Sequence, residues 1–214
     1  MESFVVRVWL PDRPGALGQV ASRIGAVHGD VVGIEILERG GGFAIDELRV
    51  DLPDGSLVDL LVSEIRQVDG VAVEDVRAVA SDRLDGALAT LATAGAIVAA
   101  APARRLHVAC VELCSLLDGD WAAAVSLDTR AAVASWGAVP DLAWLSAFLA
   151  GSEHLAEAHT HTPGDLVWCK VPRQGVALAC GRDGRVFHAR ERDEFRMLGG
   201  IVDAIDPALM EAAS

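Results

Sequence analysis

The stretch that decides the fold lies near the N-terminus and reads Leu10-Pro11-Asp12-Arg13-Pro14-Gly15-Ala16-Leu17. Before it, residues 3–10 alternate in character from one position to the next, which is the period of a half-buried β-strand. After it, apolar residues recur at spacings of three and four, which is the period of an amphipathic helix. These apolar positions are Leu17, Val20, Ile24 and Val27. The stretch therefore predicts a strand, a turn and a helix from about residue 15 to residue 28.

The helix start follows from two residues of the turn. Pro14 suits the first turn of a helix, where its missing N–H is no loss. Asp12 is the predicted N-cap, because its carboxylate can accept a hydrogen bond from the free amides, which the side chain of Arg13 cannot do.

The next residues repeat this alternation of strand and helix signals. The glycine-rich turn Arg39-Gly40-Gly41-Gly42 joins two predicted strands, at about 31–38 and 43–52. A second helix follows from about 57 to 68, with Ser56 as its predicted cap, and a fourth strand covers 71–79. The order is βαββαβ, which favours a four-stranded antiparallel sheet with both helices on one face.

The signature Asp12-Arg13-Pro14-Gly15-x-Leu17-x-x-Val20, followed by Ile24 and the strand from Val31 to Ile36, resembles an ACT domain over about residues 3–79. The resemblance implies a ferredoxin-like fold that binds amino acids or similar small effectors, usually at an interface between two copies. The ligand would lie between the first-strand loop, the helix start and the second strand of a neighbour. The binding residues that this implies are Leu10, Asp12, Gly15, Ala16, Leu17 and Val31.

Elementary chemistry supports a site at this turn. Free amides at Gly15, Ala16 and Leu17 would offer donors to a carboxylate, and the helix dipole favours negative charge there by about 0.3–1 kcal/mol. Asp12 would meet a ligand ammonium group. Leu10 and Val31 are apolar where some members of the family use side-chain hydrogen bonds, so recognition would depend on the backbone. The alternative interpretation is that Asp12 only caps the helix and Gly15 only makes the turn.

The second part of the chain predicts a helical linker and another mixed domain. Helices are expected from about 84 to 98, with Ser81-Asp82 as the cap, and from 104 to 117, then a hairpin over 121–127 and 131–136. A short helix near 140–151, strands at 166–171, 176–180 and 185–190, and a terminal helix from residue 192 or 193 complete it. This order is similar to a GAF-like domain over about 84–206. The stretch that most resembles that family is Gly184-Arg185-Val186-Phe187-His188-Ala189-Arg190.

Composition excludes several classes of function. The net charge is −13, with one Lys and 17 Arg that form no large cluster, which argues against a nucleic-acid partner. Residues 86–103 carry no charge, and this stretch just reaches the minimum length of a membrane span. Most of these residues are small, however, so we expect a buried packing helix and no membrane-spanning helix. The N-terminal residues show no secretory signal, which predicts a cytoplasmic location with free cysteines.

Groups that could carry chemistry are few. His159 and His161 would share a face of a strand and could bind zinc or another divalent metal with His154 and Glu157, whereas a solvated loop is the alternative. Cys110 and Cys114 lie one helical turn apart, and Cys169 and Cys180 occupy adjacent predicted strands where they could face each other. We expect these cysteines to act as small hydrophobic residues, with His107 the best candidate to activate Cys110.

Neither the tryptophans nor any known sequence motif indicates a catalytic site. Trp121, Trp136 and Trp168 are expected in the core, although one of them could line a pocket. No hydrolase, kinase, zinc-protease or dinucleotide motif occurs.

The sequence thus predicts an α+β chain with an ACT module at residues 1–80 and a helical linker plus a GAF-like antiparallel sheet flanked by helices at 81–214. The expected function is a non-enzymatic sensor that binds a small-molecule effector, by preference an amino acid, and signals to a separate protein partner. A homodimer is expected, and no cofactor. Two alternatives stay open: a metal-dependent enzyme that uses His159 and His161, and a dimerisation platform that binds no ligand.

Overall fold

The computed structural model describes residues 1–152 and 164–205 of the chain. The chain divides into two compact units, Met1–Gly86 and Ala87–Ser214. Gly86 belongs with the first unit, where its backbone N–H donates to Glu35 Oε1 at 2.6 Å.

The first unit has the predicted βαββαβ order. Its elements are β1 (Glu2–Pro11), α1 (Ala16–Ala26), β2 (Asp30–Gly40), β3 (Phe43–Leu52), α2 (Val58–Ile65) and β4 (Ala72–Val79). The four strands are antiparallel and lie in the order β2-β3-β1-β4. A short 3₁₀ turn precedes α2, and its cap is Asp54, whose carboxylate accepts from the Ser56 N–H at 2.7 Å. The N-cap of α2 itself is Leu57, which makes no side-chain cap hydrogen bond, so the predicted cap Ser56 was wrong.

The core of this unit lies between one face of the sheet and both helices. Val6 and Val8 of β1 are fully buried against the apolar stripes of α1 and α2. The helix residues in this cluster include Val20, Ile24, Leu61 and Ile65, all fully buried. Burial of such side chains stabilises the unit by about 1.5–3 kcal/mol each. The period of three and four that predicted α1 thus marks the face that meets the sheet.

The second unit also contains an antiparallel sheet with helices on both sides. Its elements are α3 (Gly86–Ala99, which begins at the last residue of the first unit), α4 (Arg105–Leu116), β5 (Trp121–Ser126), β6 (Ala132–Gly137), α5 (Leu142–Ser152), β7 (Leu166–Val171), β8 (Val176–Gly181) and α6 (Ala189–Ala204). The strand order is β6-β5-β8-β7. Residues of α3, α4 and α6 form one apolar cluster with the sheet, and α5 packs with the residues of its other face.

The predicted strand at 185–190 was wrong, and the reason is a buried arginine. Arg182 is 2% exposed, and its guanidinium binds both carboxylate oxygens of Glu191 at 2.8 and 2.9 Å. It also donates to the carbonyls of Leu117, Arg185 and Val186 and lies 4.0 Å above the ring of Phe187. Carbonyls that bind this cation are not free for a strand ladder, so the segment wraps around Arg182.

The same ion pair explains why the last helix begins earlier than predicted. His188 is the N-cap of α6, and the Glu191 side chain reaches back to accept from the His188 backbone N–H at 2.8 Å. This reciprocal capping box satisfies donors that a helix start leaves open. The helix therefore begins at Ala189 and not at residue 192 or 193.

The helix α3 differs from its prediction in burial. A buried packing helix was expected, yet only Thr93 and Ile97 of this 14-residue helix are buried, and Leu91 is 68% exposed. The helix starts at Gly86, so Ser81 and Asp82 do not cap it. None of the helices that the structure describes is long and apolar enough to cross a membrane.

The buried pair yields a stability prediction. Arg182→Met leaves the Glu191 carboxylate buried without the guanidinium that neutralises its charge, so we expect the free energy of unfolding to fall by about 3–5 kcal/mol. The control is Arg196→Gln, which removes an exposed pair with Asp193 and should change stability by less than about 0.5 kcal/mol. Urea denaturation followed by circular dichroism measures both. Equal midpoints for Arg182→Met and the wild type would show that this pair does not hold the segment.

Candidate functional site

The turn between β1 and α1 is shaped by the end of the strand ladder. Pro11 is the last residue of β1 and pairs with Phe43 of β3. The Asp12 N–H then donates to the Gly42 carbonyl at 2.9 Å, and the Arg13 N–H folds back to the Pro11 carbonyl at 2.8 Å. Asp12 thus continues the strand before the chain reverses into the helix.

The helix α1 begins without a side-chain cap. Gly15 is its N-cap, in the left-handed region at φ +86°, and no described side chain accepts from the first turn. The predicted cap Asp12 was therefore wrong, because its backbone belongs to the strand end and lies three residues before Gly15. A residue with a Cβ adopts this backbone conformation at a cost of about 1–2 kcal/mol, which favours glycine.

The free amides of α1 differ slightly from those expected. The Ala16 N–H donates to the Arg13 carbonyl at 3.3 Å, so this amide is already used. Among the described residues, the N–H groups of Gly15, Leu17 and Gly18 have no acceptor outside the helix. A Cβ built on Gly15 would meet nothing within 4 Å. The space beside Gly15, at the positive end of the helix dipole, is therefore open.

A buried carboxylate in β3 faces the same layer as α1. Asp46 pairs with Val8 of β1 and Ile36 of β2, so its side chain points to the helix side of the sheet. The residue is 3% exposed, and its Oδ1 atom has no hydrogen-bond partner among the described residues. Burial raises the pKa of Asp46 above its usual value; the charge of Arg39 lowers it and that of Asp12 raises it further.

Asp46 was not among the predicted site residues. The pattern assigned it only to one side of the alternating strand Ala44-x-Asp46-x-Leu48-x-Val50-x-Leu52. The signal that could have found it is present in that pattern. A single acid stands among four apolar residues on the face that packs against the helices, and such a group is rarely buried without a partner.

The structure brings together five of the six predicted binding residues. Leu10, Asp12, Gly15, Ala16 and Leu17 follow one another at the end of β1 and the start of α1. Val31 pairs with Val50, which in turn pairs with Phe4 at the beginning of β1. Phe4 and Leu10 are six residues apart on one strand, about 20 Å. Within one chain, Val31 therefore lies at the opposite end of the sheet.

Three of the four cysteines are buried, as expected for residues that act as small hydrophobic side chains. All four are unbridged. Burial raises the pKa of Cys110 to about 12, so His107 does not activate this thiol. Cys169 pairs with Leu178 and Cys180 with Val167, so these two cysteines do not face each other across the ladder.

The predicted metal ligands belong to the stretch between the two described ranges. His154, Glu157, His159 and His161 lie outside the described residues. Within residues 1–152 and 164–205, no three His, Cys, Asp or Glu residues form a cluster that could hold a metal ion.

The second unit contains a cavity of about 130 Å³ beside the face of the sheet that packs with α5. Its lining includes Val125, Leu149, Trp168 and Ala177. Trp168 thus lines a pocket, as expected for one of the tryptophans, whereas Trp136 is 50% exposed and does not belong to the core. The Ser146 hydroxyl in this wall donates to the Leu142 carbonyl at 2.6 Å.

The geometry of α1 predicts opposite effects for two neighbouring glycines. Gly15→Ala forces an L-residue into the left-handed region and should reduce the free energy of unfolding by about 1 kcal/mol. Gly18→Ala lies within α1, has nothing within 4 Å of its new Cβ and should increase it by about 0.5–1 kcal/mol. Thermal and urea unfolding of both variants provide the measurement. The same sign for both substitutions would contradict this description of the helix start.

The raised pKa of Asp46 predicts that the stability difference between the wild type and an Asp46 variant depends on pH. Because its pKa is raised in the folded protein, the ionised carboxylate destabilises the fold relative to the protonated one. Asp46→Asn should therefore unfold at a higher urea concentration than the wild type at pH 7.5, and the difference should shrink as the pH falls towards 4. Urea midpoints from pH 7.5 to pH 4 test this.

The control for this pH series is Asp54, whose substitution should change stability in the opposite direction. The hydrogen bond from Ser56 lowers the pKa of Asp54, so Asp54→Asn should be less stable than the wild type at pH 7.5, and this difference should also shrink in acid. A wild-type advantage over Asp46→Asn at pH 7.5 would show that Asp46 has a stabilising partner.

Comparison with known proteins supports part of this description. Residues 4–70 match the family model for the ACT domain, which is about a third of the chain. The ACT domain of the GTP pyrophosphokinase of Chlorobium tepidum is 18% identical, with a TM-score of 0.30 over 36% of this chain and 97% of that one. The C-terminal domain of the MgtC protein from Mycobacterium tuberculosis is 17% identical, with a TM-score of 0.32 over 40% and 95%.

A third structure, a formyltetrahydrofolate deformylase from Pseudomonas putida, is 13% identical, with a TM-score of 0.30 over 42% of this chain and 36% of that one. No match was found among curated proteins. The family model thus supports an ACT domain at residues 4–70, the type of module that commonly serves in small-molecule regulation.

Proposed function

We propose that this chain is a non-enzymatic regulatory protein whose ACT domain binds a small effector, by preference an amino acid, between two copies of the chain. The occupied dimer then acts on a separate protein partner in the cytoplasm. The observation that carries this proposal is the uncapped start of α1, which opens at Gly15 with unused backbone donors.

The start of α1 suits a carboxylate group. The N–H groups of Leu17 and Gly18 point out of the first helical turn, and the helix dipole adds favourable interaction with an anion. Leu10 and Ala16 beside them are buried and apolar, so they offer a wall without competing hydrogen bonds. An amino acid brings a carboxylate to such a place together with a second charged group and a side chain.

The position of Val31 argues for a second copy. The strand β2 is at the edge of the sheet, where its outer backbone groups have no strand partner within the sheet. If two copies pair through β2 in antiparallel fashion, with the two-fold axis near Glu35, Val31 of the second copy lies beside Arg39. That arrangement would complete the six-residue site at both ends of the paired strands.

The exposed side chains of β2 fit the same arrangement. Ile34 and Ile36 are 48% and 41% exposed and project from the helix side of this edge strand. A two-fold interface would cover these residues of both copies at once, which apolar burial favours. The effector would act as a signal because it binds the paired arrangement better than the unpaired one.

The second unit is proposed as a GAF-like module. Its antiparallel sheet has helices on both faces and a small cavity at Trp168, features suited to a ligand pocket or to a platform for contacts with other proteins. We assign it the role of transmitting the effector signal to the partner.

The proposal predicts effector-dependent stability and association. One of the twenty amino acids should bind in isothermal titration calorimetry and stabilise the protein by about 2.7 kcal/mol at a hundred times its dissociation constant. Sedimentation of the same sample should show a dimer. Ile34→Lys should weaken both dimer formation and binding by tenfold or more, because it places a charge in the proposed interface.

The matched control is Leu60→Lys in α2, a residue 49% exposed and away from β2. This variant should associate and bind as the wild type does. A dimer that binds none of the amino acids would favour the platform without a ligand. Binding that is unchanged in a monomeric Ile34→Lys variant would contradict the shared site.

A further inference from the structure

Asp46 is a buried acid with one carboxyl oxygen, Oδ1, that has no hydrogen-bond partner among the described residues. It lies in the middle of β3, is 3% exposed, and has apolar neighbours Val8 and Ile36 on the adjacent strands. A buried carboxylate without a partner destabilises a protein, and native structures rarely keep one without a use.

The nearby charges do not neutralise Asp46. Arg39 and Asp12 both act on it electrostatically, with opposite signs. Arg39 is exposed and forms no ion pair with Asp46 within the described part of the chain. Asp46 also lies two residues along β3 from Ala44, which pairs with Leu10 near the end of β1, just before the turn to α1. Asp46 therefore lies on the part of β3 next to the turn that leads into α1, and no described side chain forms an ion pair with it.

We propose that Asp46 binds the ammonium group of the effector and makes the site selective for ligands that carry both an ammonium and a carboxylate group. This inference rests on the proposed function for the position of the ligand. The amides of Leu17 and Gly18 take the carboxylate, while Asp46 takes the ammonium. In an α-amino acid both groups are attached to one carbon, so one small ligand satisfies both ends of the site.

The backbone amides of α1 and the Asp46 carboxylate favour different groups on a ligand. A simple carboxylic acid would satisfy the amides but would bring a second negative charge towards Asp46. A simple amine would neutralise Asp46 and leave the amides unused. Discrimination against ligands that lack one group is strong when a buried polar group is left unpaired.

The test uses small probes on the full chain. Melting temperatures are measured at pH 7.5 with methylammonium chloride, sodium acetate or glycine at 100 mM, with sodium chloride to equalise ionic strength. The variants are Asp46→Asn and Asp46→Leu, and the control is Asp69→Asn, an exposed acid beyond α2. Methylammonium should raise the melting temperature of the wild type and of Asp69→Asn, and it should have no effect on either Asp46 variant.

Binding of amino acids supplies the second readout. An amino acid that binds the wild type should lose at least tenfold in affinity in Asp46→Asn, although this variant is expected to be the more stable protein at pH 7.5. A loss of affinity together with a gain in stability is not what damage to the fold produces. Asp46→Leu gives the same test if Asp46→Asn does not fold.

Each remaining outcome overturns the inference. Equal effects of methylammonium on the wild type and on both Asp46 variants would do so, as would no effect on any of them. A larger, Asp46-dependent effect of magnesium or calcium chloride would assign the site to a metal ion instead. Full amino-acid affinity in Asp46→Asn would refute the role of Asp46 and leave the proposed function intact, whereas no binding of any amino acid to the wild type would refute the proposed function itself.

Discussion

The strand β1 is buried on both faces, and this constraint determines the rest of the first unit. Val6 and Val8 are fully buried towards the helices, and on the other face Arg7 is 2% exposed and paired with Glu47 at 2.7 Å. A strand held in this way cannot slip in register, because a shift of one residue would exchange its faces. Its end at Pro11 is therefore fixed, and the turn to Gly15 and the start of α1 are fixed with it. The candidate site is a consequence of where this strand stops.

Two buried ionisable residues, Arg182 and Asp46, have very different surroundings in this protein. Arg182 in the second unit has a bidentate carboxylate, three carbonyl acceptors and an aromatic ring, so its burial shapes the surrounding backbone. Asp46 in the first unit has none of these partners at Oδ1. The first arrangement is what structural support requires, since every donor of the guanidinium is used. The second is what a binding site requires, because the missing partner leaves interaction energy available for a ligand.

Periodicity predicted most elements because most helices and strands direct a regularly spaced set of apolar side chains towards a core. It predicted β3 and β7 with their observed ends. It failed where the decisive partner is distant in sequence: Arg182 binds the Leu117 carbonyl, 65 residues away, and the strand expected at 185–190 does not form. It predicted α3 as a helix but not its exposure, because the many alanines of this helix leave no clear apolar face. Asp46 was missed because alternation assigns a side chain to a face and does not show whether that side chain finds a partner.

The separation of Val31 from the turn has a thermodynamic consequence. In one chain the proposed site comprises the α1 start and Asp46, and Val31, the remaining predicted binding residue, is about 20 Å away on the same sheet. A ligand that uses all of these residues can do so only where two copies meet. Its binding free energy and the free energy of association are then linked, and each must favour the other by the same amount. An effector that bound one copy as tightly as two would change nothing in the assembly, however strongly it bound. The proposed regulatory role therefore depends on how the predicted binding residues are divided between the two ends of β2, more than on the strength of any single contact.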